Sequence, residues 1–469
     1  MYRRLMLLAL AASLCGCLHP HKYDRPALPV APTWPDGTVS DSDAPGALEA
    51  INLPWRDFFT DTKLQSVIEL ALANNRDLRM AALNIEKAQS LYRIQRAEQI
   101  PTVGVSAAGN LYRLPEKATV GGFSVPQAVT VEQYTVNLGV SSWELDLFGR
   151  VRSLKSQALE QYMATEQARA AAQIALVAAV ANGYLTLAAD REGLRLAQAT
   201  LDAQQASHDL VLRMRDAGIA SDLELNQTRT QVESARADTA LFAGRVGLDE
   251  NLLNLLVGSP VAASLLPAEL GPETSLKELS SGLTSDILLR RPDILMAEHQ
   301  MKAAYANIGV ARAAFFPRIA LTAGTGFMSS DLSALFTSGA GTWNFAPQVD
   351  LPIFDSGSRK ANLRVAEVNR DLAIADYEKA IQTAFREVSD SLTLRTRLME
   401  QQDAQAALLQ SLEATYQLSD ARYKAGIDSY LSVLVAQRSL YGAQQAMVSL
   451  RMARLNNLVT LYKVLGGGA

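Results

Sequence analysis

The chain has 469 residues, a formal net charge of −4 and only 6% aromatic residues. Its basic residues are scattered rather than clustered, which excludes an electrostatic footprint for nucleic acid. Length alone would suggest about three compact domains, but an Ala- and Leu-rich chain poor in aromatics fits a helical assembly better than an enzyme-sized globule.

Residues Met1–Cys17 read as an export signal: Arg3-Arg4, the apolar run Leu5–Leu14, then small residues. Leu14-Cys15-Gly16-Cys17 is similar to a bacterial lipoprotein cleavage box, with Cys15 an unusual occupant of its position. Cleavage before Cys17 makes residues 1–16 a signal peptide and places diacylglycerol and an N-acyl chain on Cys17. At about 0.8 kcal/mol per buried CH₂, several such chains anchor a protein firmly. Leu18 follows, with no Asp of the kind that retains lipoproteins in the inner membrane. A plain secretory signal with a coincidental cysteine is the alternative. Both cysteines lie in this segment, so the mature chain has no second thiol and relies on packing and assembly. No cofactor beyond the acyl chains is expected.

Residues 17–60 are proline-rich with little periodicity, an extended arm closing on Trp55-Arg56-Asp57-Phe58-Phe59. An amphipathic helix is predicted from about Asp61 to Gln99, carried by Leu64, Val67, Ile68, Leu72 and Leu78. Strands follow at about 101–113 and 129–147; in the second, Tyr134, Val136, Leu138 and Val140 alternate with Thr135, Asn137 and Gly139. No proline occurs from Gln127 to Ser259. The pattern there predicts a helix of about 65 residues, roughly 100 Å long at 1.5 Å per residue. A tip at about 216–222 and a second helix of about 35 residues complete the hairpin. Residues Ala170–Ala189 carry no charge and are long enough to cross a bilayer. Gln173, Asn182, Gly183 and Thr186 within the run favour a helix buried on two sides instead.

The plan then repeats. Asn74–Leu78 recurs as Arg290–Ile294 and Arg96–Pro101 as Arg312–Pro317, both 216 positions later; Ala217-Gly218-Ile219 recurs as Ala425-Gly426-Ile427, 208 positions later. The first copy spans 61–259 and the second 286–469, joined by a linker over 260–285. The second supplies strands at about 317–328 and 341–353 and a tip at about 424–429. Period-2 alternation over about 10 residues is what a transmembrane barrel strand requires, with lipid on one face and water on the other. About four strands cannot close, since the smallest single-chain outer-membrane barrels use eight, and an open edge in lipid costs several kcal/mol per unpaired group. Three copies would supply about twelve strands. A soluble, edge-packed sheet is the alternative.

Leu289-Arg290-Arg291-Pro292-Asp293-Ile294 with Glu298, then Ala311-Arg312-Ala313 and Phe316-Pro317, resembles the signature of TolC-like outer-membrane efflux proteins. So do Trp55–Phe59 and the Leu145-Asp146-Leu147-Phe148-Gly149 turn, while the arm is similar to the OprM-like lipoprotein branch that serves RND-type pumps. The resemblance implies a mainly α fold with a transmembrane β-barrel: a homotrimer whose 12-stranded barrel in the outer membrane continues into a 12-helix α-barrel in the periplasm. It also implies a passive duct working with a periplasmic adaptor and an inner-membrane pump. The adaptor would dock on the tips, through Ala217, Gly218, Ile219 and Ala220 and through Ala425, Gly426 and Ile427. Tyr423 and Glu224 take the places of the family's tyrosine and its acidic partner at the gate, whereas Asp428 replaces the arginine of the TolC link. That link is therefore not carried over. Asp428 would instead ring the axis with carboxylates and favour cations; a solvated turn acid is the bland alternative.

Catalytic arrangements are missing from the sequence: it has no Walker loop, no His-Glu-x-x-His and no serine elbow. His208 and His299 sit singly on predicted helices and read as solvated or interface residues rather than metal ligands. An enzyme is not expected. A lipid-anchored tether without a pore, or a type I secretion duct, are the competing readings.

Overall fold

In the computed structural model the described residues are 23, 25–34, 53–120, 123–270, 276–277 and 285–467. Cys17, the signal segment, much of the arm and part of the linker lie outside them. The helices are α1 (Trp55–Phe58), α2 (Thr62–Asn74), α3 (Arg76–Ala97), α4 (Arg150–Asp216), α5 (Asp222–Val257), α6 (Pro292–Ala313), α7 (Ser358–Lys424) and α8 (Tyr430–Val464). The strands are β1 (Val103–Leu114), β2 (Thr119–Val120), β3 (Phe123–Ser124), β4 (Val129–Glu144), β5 (Arg318–Ser329) and β6 (Gly341–Asp350). The two copies match closely: α4 and α7 have 67 residues each, and α5 and α8 have 36 and 35. They are nonetheless interleaved. One compact unit joins Glu86–Ala164 to Ala297–Asp376 together with the described part of Met1–Pro26; the other joins Ala27–Ile85, Thr165–Met296 and Tyr377–Ala469.

The first unit is built on an antiparallel sheet of order β1-β4-β5-β6. Its register sets the apolar positions of all four strands on one face: Val105 opposite Leu138, Leu138 opposite Thr325, Thr325 opposite Trp343. The register slips between Val140 and Trp143. Ser142 takes φ 54° there and its N–H donates to Thr322 Oγ1 at 3.1 Å. This bulge restores Trp143 to the apolar face, opposite Leu321. The polar face carries Gly139, Gly324 and Gly326, where strands approach so closely that a Cβ on Gly139 would lie 2.5 Å from the Gly324 Cα. The short β2–β3 hairpin within the first loop was not expected from the sequence.

β4 and β6 end at Glu144 and Asp350, short of the expected 147 and 353. The intervening residues serve the next helix instead. Asp146 accepts from Val151 N (3.1 Å) and Arg152 N (2.9 Å), and Asp355 accepts from Arg359 N (2.9 Å). The arm is tied down by Glu298 on α6, which is only 2% exposed. Tyr23 Oη donates to it at 2.9 Å, Arg25 Nη2 at 2.5 Å, and Lys302 pairs with it at 2.9 Å. The signature glutamate is thus an anchor for the arm.

In the second unit, the single helix expected from Asp61 to Gln99 is broken at Asn75, whose ψ of 132° ends α2. Asn75 is 6% exposed, its Oδ1 accepts from Leu78 N and its Nδ2 donates to Leu256 O at 2.8 Å. In the other copy Arg291 occupies the same place and its Nη1 donates to Val464 O at 2.6 Å. Both pairs obey the repeat offsets, so two different side chains make one conserved contact with the end of their copy's last helix. Tyr462 stacks on Phe58 with centroids 4.2 Å apart, and its hydroxyl donates to Leu53 O at 2.8 Å. The uncharged run on α4 is packed within the unit: Val180, Ala181 and Leu187 have no exposure.

Asp249 on α5 faces Asp190 on α4, beside Arg245. Burial, and then the Asp190 charge, push its carboxyl from 3.8 up to about 6 against the pull of Arg245. A raised carboxyl pKa means that the folded protein holds a proton the unfolded chain has lost. Stability therefore falls as pH rises through the window between those values, and the cost is fully present above it. Asp249→Asn is expected to raise the thermal midpoint at pH 8 and leave it unchanged at pH 3.5. Equal gains at both pH values would refute this.

Candidate functional site

The tips close both helical hairpins in one way. α4 ends at Asp216, and Gly218 takes φ 76°; α7 ends at Lys424, and Gly426 takes φ 75°. Gly218 N donates to Arg215 O (2.9 Å) and Ile219 N to Met214 O (2.8 Å). Gly426 N donates to Tyr423 O and Ile427 N to Arg422 O, both at 2.9 Å. These are Schellman stops, which need a residue at ease in the left-handed region. The apolar residue after the glycine often packs back onto the helix in such a stop, yet Ile219 is 71% exposed and Ile427 63%. Ala217, Gly218, Ala425 and Gly426 are exposed as well. Ala220 is not: it packs with Leu225, Tyr416 and Tyr423 against a buried group of Val211, Tyr430, Val433 and Leu434. The two tips of one chain thus share an apolar core, and beyond it stand small residues and two isoleucines.

Of the expected gate residues Tyr423 packs on this core, while Glu224 and Asp428 are held by hydrogen bonds to near neighbours in the chain. Tyr423 lies against Tyr430, centroids 5.1 Å apart. Burial, and then the charge of Glu224, raise the Tyr423 pKa. The Glu224 carboxylate itself closes a capping box: Ser221 N and Oγ donate to it at 2.8 and 3.0 Å, and Glu224 N donates to Ser221 Oγ at 3.2 Å. Asp428 is not a bare carboxylate. Arg422 donates to both of its oxygens, Nε at 2.6 Å and Nη2 at 3.0 Å, and holds its pKa below the usual range. This pair is local to the second tip, joining the end of α7 to its own turn, and is distinct from the TolC link, whose arginine position Asp428 holds.

Arg422, Ser221 and Tyr430 were missed in the sequence. Ser221-x-x-Glu224 is a capping-box pattern and was legible. The Arg422–Asp428 pair was not, because six residues separate the partners and only the left-handed Gly426 folds one onto the other. His208 bonds Thr228 Oγ1 at 2.9 Å, joining α4 to α5, and His299 bonds Glu160 Oε2 at 2.7 Å, joining α6 to α4. Both are interface histidines.

An in-register sheet with one apolar face, together with helices of 67 residues that end in exposed tips, is what a channel-type outer-membrane protein requires. The chain belongs to the outer membrane efflux protein family, whose profile matches residues 67–259 and 283–467. It is 47% identical to the toluene efflux pump outer membrane protein TtgC of Pseudomonas putida over 470 residues, covering 100% of this chain and 96% of that protein. A crystal structure of a membrane protein from Pseudomonas aeruginosa is similar, with a TM-score of 0.89, 40% identity, and coverage of 96% and 98% of the two chains. The open state of the Neisseria gonorrhoeae MtrE outer membrane channel matches with a TM-score of 0.85, 37% identity, and coverage of 96% and 98%. The chain is therefore the outer-membrane channel of a tripartite efflux system. Its family consists of transporters rather than enzymes, and an inner-membrane pump and a periplasmic adaptor are its partners.

Proposed function

We propose that the channel is a lipid-anchored homotrimer, acylated on Cys17, that passively conducts small organic compounds delivered by an RND-type pump. The in-register sheet supports the trimer: its apolar face suits lipid, and four strands are too few to close alone. The names of relatives, which include toluene and antibiotic efflux pumps, support organic cargo. The adaptor docks on Ala217-Gly218-Ile219 and Ala425-Gly426-Ile427, where small residues let a partner helix approach and the isoleucines offer apolar area. Ala220 supports that surface from the tip core.

Opening separates the tips, and Tyr423, Glu224, Asp428 and Arg422 set its ease. The ion pair neutralises the tip acid, so removing either partner shifts selectivity in opposite directions. In planar bilayers, Arg422→Ala is expected to increase cation preference and Asp428→Ala to reduce it. Shifts in the same direction, or none, would remove the pair from the conduction path.

A further inference from the structure

The strand ends remote from the helices carry two connections, residues 115–128 and 330–340. The first turns through Glu116 and Lys117, both charged and exposed. The second holds one charged residue, Asp331, and two large apolar side chains, Leu332 and Phe336, which are 62% and 70% exposed. Turns in water are built from Gly, Asn, Asp, Ser and Pro, so exposed apolar area of this size points to a non-aqueous neighbour. We infer that the β5–β6 connection inserts Phe336 among the acyl chains of the outer leaflet, as a clip on the lipid side of the sheet. This rests on the lipid-facing reading of the apolar sheet face and extends it beyond the strands.

The geometry of the turn selects the face. Phe327 lies on the apolar side of β5, opposite Val136 and inside the strand's end at Ser329. The Phe336 ring meets it edge-on, centroids 5.5 Å apart and planes at 68°. The chain therefore passes the end of β5 and turns back, so that the ring lies beside the apolar face rather than beyond the rim. Hydrogen bonds hold this shape. Asp331 N donates to Ser329 Oγ at 3.1 Å, and the Asp331 carboxylate accepts from Ser333 N and Oγ, both at 2.8 Å. Thr337 Oγ1 donates to Ala334 O at 2.7 Å, and Met328 N donates to Ala340 O at 2.8 Å. Leu335 is 4% exposed, so the turn hides one apolar side chain and presents the next.

The sheet also marks the level at which hydrocarbon ends. On β1 the apolar face runs through Val103, Val105, Ala107, Gly109 and Leu111, and the next residue on that face is Arg113. Val103 to Leu111 covers about 27 Å along the strand. A tilt of about 40° reduces that to about 20 Å, close to the ~25 Å band of an outer-membrane barrel. Opposite Leu111 stands Glu132, which accepts from Tyr134 Oη at 3.3 Å. A tyrosine with its ring on an apolar face and its hydroxyl on a carboxylate suits the boundary between membrane and water. Tyr134 is paired with Ser329, whereas Phe327 is paired with Val136, about 7 Å deeper along the strand. Phe336, packed on Phe327, falls on the hydrocarbon side of the boundary, while the Asp331 carboxylate stays at the end of the strand.

The test is site-directed fluorescence of heat-modifiable, full-length protein in lipid vesicles. The chain's cysteines are Cys15 and Cys17, so Phe336→Cys adds one new thiol, and the parent chain sets the labelling background. The thiol is labelled with nitrobenzoxadiazole and challenged with lipids brominated along their acyl chains, or with iodide on both sides of the membrane. Phe336→Cys is expected to lose fluorescence to the brominated lipids and to resist iodide, as Leu138→Cys on the apolar face should. Ser338→Cys, exposed in the same connection, is expected to do the reverse. Quenching of the Phe336→Cys label by iodide alone would put that side chain in water and overturn the insertion. Protection from both quenchers would put it under protein and overturn the insertion equally. A Leu138→Cys label that bromine cannot reach would overturn the lipid-facing reading of the sheet itself, and the insertion with it.

Discussion

Arg291→Ala is expected to destabilise the protein by about 3 kcal/mol, the lower end of the range for breaking a buried ion pair. Arg291 is 7% exposed and spends four of its five N–H donors on defined partners. Nη1 holds Val464 O at 2.6 Å, Nε and Nη2 hold the Asp293 carboxylate at 3.0 and 2.7 Å, and Nη2 reaches Glu387 at 3.0 Å. Burial opposes its charge, and Asp293 and Glu387 outweigh that opposition, so its pKa rises above the ordinary value. Alanine would strand a helix-end carbonyl and leave two carboxylates facing each other. Asp293 and Glu387 are partly exposed and can be rehydrated, which keeps the loss near 3 kcal/mol rather than higher. Arg291→Lys should recover less than half of it, because an ammonium cannot reproduce the fork. Asn75→Ala removes the equivalent neutral contact and should cost about 1–2 kcal/mol. Apparent thermal midpoints in detergent, followed by circular dichroism, should rank the variants Asn75→Ala, Arg291→Lys, Arg291→Ala in increasing loss. An Arg291→Ala protein as stable as the parent would contradict this account of the junction.

Gly326→Ala is expected to be still more damaging, and at a different stage. A Cβ there would overlap Val136 O and lie 2.6 Å from Asn137 Oδ1 and 2.8 Å from Asn137 Cα. Backbone cannot move aside as a flexible side chain can, so β4 and β5 would have to separate or slip. Overpacking typically costs about 1–3 kcal/mol where neighbours can yield; here, with a ladder to break in a membrane, the upper end is the minimum. The expected result is loss of assembled protein from the outer membrane, read as disappearance of the heat-modifiable band. Gly104→Ala is the matched control. Nothing lies within 4 Å of a Cβ there, and the corresponding position in the other copy is already Ala320. It should assemble normally. Equal assembly of both variants would show that the close approach of β4 and β5 is not required.

Much of this was readable from the chain because the repeat states everything twice. The strands fell within a few residues of their expected limits, and alternation fixed their faces before their pairing was known. The long helices were legible because no proline interrupts 127–259. What escaped depends on residues distant in the chain. Asn75 looks like an ordinary helix position until Leu256 O, 181 residues away, offers itself as acceptor. The slip at Ser141-Ser142 is invisible until β5 supplies a register to slip against. At the tip, resemblance pointed to Tyr423, Glu224 and Asp428, and the structure packs Tyr423 on the shared core. It could not give their partners, because Arg422 and Ser221 act through the local geometry of the turns.

This chain forms a pore rather than a tether, a difference read from conductance across a planar lipid bilayer. Purified, heat-modifiable protein is expected to insert and produce discrete conductance steps. Heat-modifiable protein that inserts and yet passes no ions, at any voltage the bilayer tolerates, would contradict the account.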